Sequence, residues 1–395
     1  MKVAIVCDWL TNVGGAEKVL LRVHQLYPEA PIYTSKYSPR GIDWFRDAEV
    51  KTGWLNIFPA KLRRLLGPLR MRWFSRLDLS DYDLIISVTG AEAKAVRASK
   101  PGARHVCYCH APTQYYWQMY DDYVRDPGFG ILNPVVRVFF RALVRGQRRK
   151  DFEAASRVDQ FVTISQYTQE LIRKYYKRDA VVVHPPVEVA EFGGLVRGGY
   201  SGSLGTASLY YIVTSRQVTW KRLDLAVMAC VKLGRELLVV GEGPEHKRLT
   251  EIARGRSSVK FLPLATSEEL AKLLAGARGY LFPSMEPFGI APVEALSVGC
   301  PVIAYGKGGA LDYVEDGVNG ILFKSQTAKS LEEAIVRFEK MKFDKAKVAA
   351  SADRFAAERF DTELREIVDK VMSVALKKQE SVKPSVKKVD RGDKR

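Results

Sequence analysis

Two acidic residues flank a glycine in the last third of the sequence. Seven residues separate Glu286 from Glu294, and this stretch contains Gly289 and Ile290 followed by Pro292. Because proline favours the first turn of a helix, we expect a helix to start at Pro292, with Glu294 in its first turn. Free amides at a helix start bind phosphate, and the two carboxylates can accept hydrogen bonds from sugar hydroxyls. The segment predicts a phosphosugar site, with an ordinary loop-to-helix junction as the alternative.

A basic loop follows an earlier strand of the same half. Arg216 and Lys221 come after the apolar run 211–214. Two cations at the carboxyl end of a strand can neutralise a diphosphate and stabilise it as it departs with negative charge. We expect both in the same cleft as Glu286, whereas a solvated basic turn is the alternative. Gly241, in a short Gly-x-Gly pattern after the next strand, is expected to let the backbone approach the ligand.

Short apolar runs alternate with helical patterns along the chain, and these elements must position the site. The first half contains runs at 3–7, 31–33, 83–88, 105–109, 160–164 and 180–184. The second half contains runs at 211–214, 236–240, 259–262, 279–282, 301–305 and 320–323. This alternation predicts an α/β protein with two doubly wound parallel sheets. Ligands then bind in the cleft between the carboxyl ends of the strands.

Changes in composition divide the chain. We predict a first domain at 1–190, a Gly/Ser-rich linker at 191–208 and a second domain at 209–350. Residues 351–376 form a helical pattern expected to pack back on the first domain. The tail 377–395 has eight basic and three acidic residues, a net charge of +5, and is predicted to be disordered.

The overall composition narrows the class of partner. The 395 residues are 47% hydrophobic and 27% charged, which excludes a mainly disordered protein. The net charge of +17 indicates an anionic partner: nucleic acid, nucleotide, phospholipid or a phosphorylated intermediate. The five cysteines form no Cys-x-x-Cys pair, and a reducing, cytosolic setting fits them best.

Together these motifs resemble the retaining glycosyltransferases of family 4, which have the GT-B architecture of two facing Rossmann-like domains. The second half carries the Glu-x7-Glu signature (Glu286, Glu294), the basic pair (Arg216, Lys221) and the Gly-Gly loop at 308–310. The first half is similar to a bacterial and archaeal mannosyltransferase-like subgroup at 14–18, 77–87, 108–112 and 184–187. The likeness covers roughly residues 1–345.

The resemblance implies a role for each matching residue of the second half. Arg216 and Lys221 would hold the diphosphate of a nucleotide-sugar donor. Glu286 and the backbone from Phe288 through Gly289 to Ile290 would hold the sugar. Glu294 would bind the ribose.

The resemblance also implies roles in the first half. Gly14 and Gly15 would let their loop approach the donor phosphate and the acceptor, and His110 would contact the transferred sugar. In this family the anomeric configuration is retained, and the diphosphate is proposed to help deprotonate the acceptor. A flanking pair of acid and base carboxylates, as in glycosidases, is then not required.

One Asp-x-Asp pattern, at Asp81 and Asp83, has the spacing that other glycosyltransferases use to bind a sugar nucleotide through a metal. It precedes a strand rather than following one, so it should lie on the sheet edge opposite the cleft. We interpret it as the turn that starts the strand and expect no metal and no bound cofactor.

The expected function is transfer of a hexose, mannose from GDP-mannose, to a lipid-linked or polysaccharide acceptor at the cytoplasmic face of the membrane. A UDP-sugar-dependent glucosyl- or galactosyltransferase, a glycogen-synthase-like enzyme and a nucleotide-sugar epimerase are alternatives on the same fold. A nucleic-acid-binding protein would need a recognition helix, an aromatic β-platform or zinc spacing, and we identify none. The acceptor, the linkage position and the oligomeric state stay open.

Two segments combine basic and apolar residues. Residues 61–76 contain six basic residues and no acidic one, and the 137–150 segment has Arg137, Arg141 and Arg145 at helical spacing. Such segments can lie on anionic lipid headgroups, which predicts peripheral contact with the membrane. Core-packed helices with a solvated basic face are the alternative.

Overall fold

The computed structural model describes residues 1–59, 66–125, 130, 133–197 and 210–382. Residues 61–65 of the first basic segment, the predicted linker after residue 197 and the predicted tail after residue 382 lie outside these ranges. The fold class is as predicted: two parallel-sheet domains covered by helices.

The first domain is built on seven parallel strands in the order β3-β2-β1-β4-β5-β6-β7. The strands are β1 (Val3–Cys7), β2 (Ile32–Thr34), β3 (Val50–Thr52), β4 (Leu84–Thr89), β5 (Arg104–Cys109), β6 (Gln160–Thr163) and β7 (Ala180–Val182). The helices are α1 (Gly15–Leu26), α2 (Gly67–Phe74), α3 (Tyr120–Arg125), α4 (Asn133–Ser156), α5 (Gln166–Tyr176) and α6 (Val189–Arg197). Among the strands in the described ranges, β3 alone was not predicted, because this three-residue edge strand buries too little apolar surface to leave a pattern.

The second domain repeats the plan with six parallel strands in the order β10-β9-β8-β11-β12-β13. The strands are β8 (Tyr210–Thr214), β9 (Glu236–Val240), β10 (Val259–Leu262), β11 (Gly279–Phe282), β12 (Val302–Tyr305) and β13 (Gly320–Phe323). The helices are α7 (Leu223–Leu233), α8 (His246–Ala253), α9 (Ser267–Ala275), α10 (Ile290–Ser297), α11 (Ala328–Glu339), α12 (Lys345–Ala350) and α13 (Ala357–Val382).

Strand order reverses once in each sheet, between β1 and β4 and between β8 and β11. Loops that leave the two strands at such a point diverge to opposite faces of the sheet and open a crevice, which is where α/β proteins bind ligands. The central strands are buried on both faces, as Ala4, Ile5 and Val6 illustrate with no exposed surface. Rigid buried strands therefore carry the loops of both crevices.

Two predicted boundaries need correction. Helix α6 continues to Arg197, so Gly193 and Gly194 are helical rather than part of a linker. The reason is tertiary: α6 packs against α9 and α10 of the second domain, and this contact outweighs the low helix propensity of glycine. Helix α13 likewise continues to Val382, beyond the predicted start of a disordered tail at 377.

Helix α13 returns to the first domain. The ring of Phe360 lies 5.6 Å from that of Tyr108 on β5, and Asp361 forms an ion pair of 2.7 Å with Arg22 on α1. Leu364 is completely buried on the same side of the helix. The C-terminal helix thus ties the two domains together away from the cleft.

The predicted basic segments differ in their packing. In the described part of the 61–76 segment, α2 buries Met71 and Phe74. The first half of α4 instead exposes Val135, Val138 and Phe139. No helix in the described ranges is both long enough and apolar enough to cross a bilayer.

Candidate active site

A cavity of about 610 Å³ lies between the carboxyl ends of the two sheets. Residues from both domains line it, and they include most of the predicted site: Gly14, Gly15, His110, Lys221, Glu286, Phe288, Gly289, Ile290 and Glu294. Arg216 and Gly241 are not among the lining residues. The two strand-order reversals therefore face one another across a common cleft, as the doubly wound topology predicts.

Glu286 is held on both carboxylate oxygens. Lys221 Nζ lies 2.5 Å from Glu286 Oε2, and the hydroxyl of Ser284 donates to Oε1 at 2.7 Å. The carboxylate is nearly buried, so the ammonium group of Lys221 offsets the cost of keeping its charge out of water. The basic loop after β8 and the acidic loop after β11 thus meet at one point of the cleft.

Helix α10 begins at Ile290, two residues before the predicted start at Pro292. Glu294 consequently lies in the second turn rather than the first. The cause is Gly289, whose φ of +100° ends the loop abruptly, and a Cβ at this position would approach Phe282 Cζ to 2.7 Å. The first amides of α10 carry no helical hydrogen bond and lie beside Glu286 at the cleft.

The Gly-Gly loop at 308–310 supports this turn from behind. Gly309 N donates to Glu286 O at 2.8 Å, and the hydroxyl of Tyr313 donates to Phe288 O at 3.0 Å. A Cβ on Gly309 would lie 2.4 Å from Phe288 Cα, which no side chain can satisfy. The backbone that faces the cleft is therefore fixed by contacts that only glycine permits.

Gly241 has a different place from the one predicted. A Cβ on this residue would lie 2.5 Å from Ser215 O, so its backbone approaches the loop after β8 and not the cleft. Gly243 approaches Gln217 O in the same way. These two glycines hold the loop that carries Lys221. Arg216, on that loop, is exposed and stands outside the lining of the cleft.

The N-terminus of α1 meets the N-terminus of α10 across the cleft. A Cβ on Gly15 would lie 3.1 Å from Ile290 Cδ1. One turn further along both helices, Lys18 Nζ lies 2.8 Å from Glu294 Oε1. Gly15 thus serves close approach between domains, and two helix starts with positive dipole ends converge on one space.

His110 follows β5 and lines the cleft. Burial lowers the pKa of its imidazole to about 4, so the ring is neutral at physiological pH. Its Nε2 is buried and has no hydrogen-bond partner among the described residues. A neutral ring nitrogen in this position can exchange a hydrogen bond with a sugar hydroxyl without adding charge to the site.

Sequence reasoning missed Asp8, which directly follows β1 and lines the cleft. Its Oδ2 accepts hydrogen bonds from the hydroxyl of Thr89 at 2.8 Å, from Gly90 N at 2.9 Å and from Ala91 N at 3.0 Å. Its Oδ1 accepts one from Ala93 N at 2.8 Å. The carboxylate thus fixes the loop after β4 to the end of β1. A buried strand that ends in Asp was the available signal.

A second missed group surrounds a buried ion pair. Arg70 Nε donates to Glu92 at 2.9 Å, and Arg70 Nη2 donates to the hydroxyl of Tyr115 at 3.0 Å. The guanidinium lies 5.2 Å from the centre of the Trp9 ring. Burial raises the pKa of Glu92, and Arg70 opposes this rise. Trp9, Arg70 and Tyr115 line the first-domain wall, so this wall combines aromatic rings with a paired cation.

A third buried pair supports the loop after His110. Lys94 Nζ lies 2.7 Å from Asp151 Oδ1 and donates to the hydroxyl of Thr113 at 2.8 Å. Asp151 also accepts from Trp117 Nε1 at 2.7 Å. The side chains of Lys94 and Asp151 are 1% and 0% exposed. Residues from 111 to 117 are thereby attached to α4.

The Asp-x-Asp pattern lies at the opposite edge of the sheet, as predicted. Asp83 precedes β4, where it accepts a hydrogen bond from Lys2 N at 2.8 Å and lies 2.5 Å from Lys100 Nζ. Its carboxylate therefore forms its contacts at the amino ends of the strands and does not face the cleft.

Comparison with known proteins identifies the family. Residues 13–191 match the family model described as Glycosyltransferase Family 4, and residues 204–355 match the model described as Glycosyl transferases group 1. The two matches fall on the two halves of the chain and together account for most of it. The chain belongs to the family 4 glycosyltransferases.

Curated relatives of this glycosyltransferase include enzymes with two different activities. It is 34% identical over 149 residues to the glycogen synthase of Xanthomonas campestris, a match covering 36% of this chain and 31% of that protein. It is 27% identical over 240 residues to the human α-1,3/1,6-mannosyltransferase ALG2, covering 53% and 58%. The matches thus span about a third of the length of the glycogen synthase and just over half of ALG2.

Solved structures share the fold over almost the whole chain. Anabaena HepE in complex with UDP-glucose superposes with a TM-score of 0.66 at 19% identity, covering 94% of this glycosyltransferase and 100% of HepE. Sucrose-phosphate synthase from Thermosynechococcus elongatus gives a TM-score of 0.67 at 16% identity, covering 95% and 100%. Both domains therefore have the GT-B arrangement.

Proposed function

We propose that this glycosyltransferase is a retaining, metal-independent hexosyltransferase that uses a nucleotide-diphosphate sugar. The observation that carries the proposal is the contact between Lys221 and Glu286 beside the free amides of α10, inside a cleft shared by both domains. A cation and helix-start amides bind a diphosphate, and a fixed carboxylate accepts hydrogen bonds from the sugar attached to it.

The donor would lie along α10. Its diphosphate would contact Lys221 and the amides of Ile290 and Ala291, and its sugar would be held by Glu286. Glu294 would accept a hydrogen bond from a ribose hydroxyl. Arg216, exposed on the loop of Lys221, would have to turn toward the cleft to give the second cation of the predicted pair.

Departure of the diphosphate would be the step that this site assists most. Negative charge develops on the leaving oxygen, and Lys221 with the positive end of α10 stabilises it without a metal ion. The leaving diphosphate would accept the proton of the acceptor hydroxyl, which attacks from the same face of the sugar. Neutral His110 would position the transferred sugar by a hydrogen bond.

We propose mannose from GDP-mannose as the transferred sugar, because the match to ALG2 extends over more of this chain than the match to glycogen synthase. A UDP-glucose-type donor is the second candidate, favoured by the overlap with HepE bound to UDP-glucose. Product analysis distinguishes an epimerase from a transferase, because an epimerase would change the free nucleotide sugar without any acceptor.

We propose a lipid-linked or glycan acceptor at the cytoplasmic face of an anionic membrane. Helix α4 supports this through exposed Val135, Val138 and Phe139 next to exposed Arg141 and Arg145. Apolar side chains beside cations suit the boundary between headgroups and acyl chains. Nucleic acid is not the proposed anionic partner, because the cations that line the cleft, Lys18, Arg70 and Lys221, are each paired with a carboxylate around a cavity sized for a small molecule.

Transfer assays test the donor site. Glu286→Ala and Lys221→Ala should each abolish most transfer, while circular dichroism and the melting temperature stay close to those of the wild type. Lys232→Ala, which removes a surface cation of α7, is the control and should transfer normally. Wild-type turnover in either variant would contradict the assignment of Glu286 and Lys221 to the donor site.

Vesicle sedimentation tests the membrane contact. The double variant Val138→Ser/Phe139→Ser should lose binding to vesicles that contain anionic lipid, and neither protein should bind zwitterionic vesicles strongly. Val374→Ser removes an exposed valine of α13 and should bind as the wild type does. Equal binding by the double variant would contradict α4 as the contact surface.

A further inference from the structure

Two contacts join α1 to α10 in register. Gly15 and Lys18 lie one turn apart on the face of α1 that meets α10, and Ile290 and Glu294 lie one turn apart on the facing side of α10. Gly15 contacts Ile290, and Lys18 contacts Glu294. Residues 276 positions apart in the sequence, one from each domain, therefore form an ion pair at the wall of the cleft.

The two oxygens of the Glu294 carboxylate differ in their hydrogen bonds. Its side chain is only 7% exposed, and Lys18 Nζ donates to Oε1 at 2.8 Å. No described residue donates a hydrogen bond to Oε2, although Glu294 lines the cleft. Oε2 can therefore accept a hydrogen bond from a ligand hydroxyl that enters the cleft. Glu286 differs, because both its oxygens have donors within its own domain.

We propose that Lys18 is a positioning residue for the donor, supplied by the acceptor-side domain. Lys18 holds Oε1 of Glu294 and leaves Oε2 to accept a hydrogen bond from a ribose hydroxyl. Recognition of the nucleoside then depends on the closed arrangement of both domains, whereas Lys18 has no part in binding the diphosphate. This inference rests on the proposed use of a nucleotide-sugar donor.

A control exists on the same helix. Arg22, one turn after Lys18, forms an ion pair with Asp361 that also joins α1 to the C-terminal part of the chain, but it lies outside the cleft. Arg22→Met removes a tie between α1 and α13 without touching Glu294. A loss that came only from looser packing of α1 would appear in this variant as well.

The experiment compares two ligands by titration calorimetry: the nucleoside diphosphate that best stabilises the wild type, and inorganic pyrophosphate, which lacks the ribose. Lys18→Met should bind the nucleoside diphosphate about fivefold more weakly and pyrophosphate equally well, a loss typical of a partner that orients a ligand-binding group. In transfer assays, KM for the donor should rise with kcat within about twofold of the wild type. Lys18→Arg should restore binding, and Arg22→Met should bind both ligands normally.

Several outcomes would overturn the inference. Equal weakening for both ligands in Lys18→Met would show direct contact with the phosphates. Unchanged binding in Lys18→Met, or the same loss in Arg22→Met, would assign Lys18 to packing alone. A further loss on adding Lys18→Met to Glu294→Gln would show that Lys18 does not act through Glu294. Failure of the wild type to bind any nucleoside diphosphate would instead remove the proposed function.

Discussion

The two walls of the cleft are built by different means. In the second domain, glycine backbones pack against the loops that form the wall, as Gly309 does against Phe288 and Gly241 against Ser215. In the first domain, buried charged side chains hold the loops by hydrogen bonds. Asp8 holds the loop after β4, and Lys94 holds the loop after β5.

This difference determines what each wall tolerates. A backbone contact has no room for a Cβ, so the second-domain wall is sensitive to any side chain at its glycines. A buried ion pair fills its space but leaves an uncompensated charge when one partner is lost, so the first-domain wall is sensitive to removal. The loops of the second domain are thus fixed by steric contacts and those of the first domain by electrostatic contacts.

The largest expected effect is on the first wall. Lys94→Met leaves the buried carboxylate of Asp151 without its cation and should cost about 3–5 kcal/mol of the free energy of unfolding. Lys100→Met, which breaks a half-exposed pair with Asp83, should cost about 1 kcal/mol or less. Urea denaturation of the two variants measures the difference. Equal losses would show that burial of the pair is not what matters.

A smaller effect is expected on the second wall. Gly309→Ala brings a methyl group against Phe288 Cα and should cost about 1–3 kcal/mol, with loss of most donor binding because the loop of Glu286 must shift. Gly146→Ala, in the middle of α4 with open space around it, should be neutral or stabilising by up to about 1 kcal/mol. Thermal denaturation and ligand-induced stabilisation check both. Normal donor binding by Gly309→Ala would contradict the steric account.

The last predicted effect is a pH dependence carried by two histidines of the first domain. Burial lowers the pKa of His105 to about 3 and that of His110 to about 4. Below pH 6.5 the unfolded chain binds protons that the folded chain does not, so stability is greatest above pH 6.5 and falls as the pH drops toward 4.

Denaturation between pH 7 and pH 4 tests this dependence. His105→Gln keeps a side chain able to bond Ser87 but does not titrate, so its stability should fall less steeply than that of the wild type. Parallel slopes for His105→Gln and the wild type would contradict the lowered pKa of His105.

The sequence predicted the second wall better than the first, and the reason is locality. The Glu-x7-Glu segment, its glycine and the preceding strand lie within sixteen residues, 279–294, so composition and spacing describe the turn directly. The run 211–214 predicted a strand, and Lys221 follows it closely in the sequence. Lys221 was therefore expected at the same edge of the sheet. The start of α10 was misplaced because the positive φ of Gly289, rather than the ring of Pro292, ends the loop.

The first wall depends on contacts between residues far apart in the chain. Asp8 binds a loop more than eighty residues away, and Lys94 pairs with Asp151 through the packing of α4. Nothing in the local pattern of a buried lysine distinguishes it from a surface lysine. The contact of Lys18 with Glu294 requires the relative placement of two domains, which no local spacing specifies.

The most direct test of the account is donor binding by the cleft itself. Titration calorimetry of GDP-mannose and UDP-glucose into the wild type and Lys221→Ala measures whether cation and helix amides form one diphosphate site. We expect one of the two donors to bind the wild type at a single site and to bind Lys221→Ala at least about tenfold more weakly, the loss expected for a charge-assisted contact. Equal affinity in both proteins would contradict the central claim.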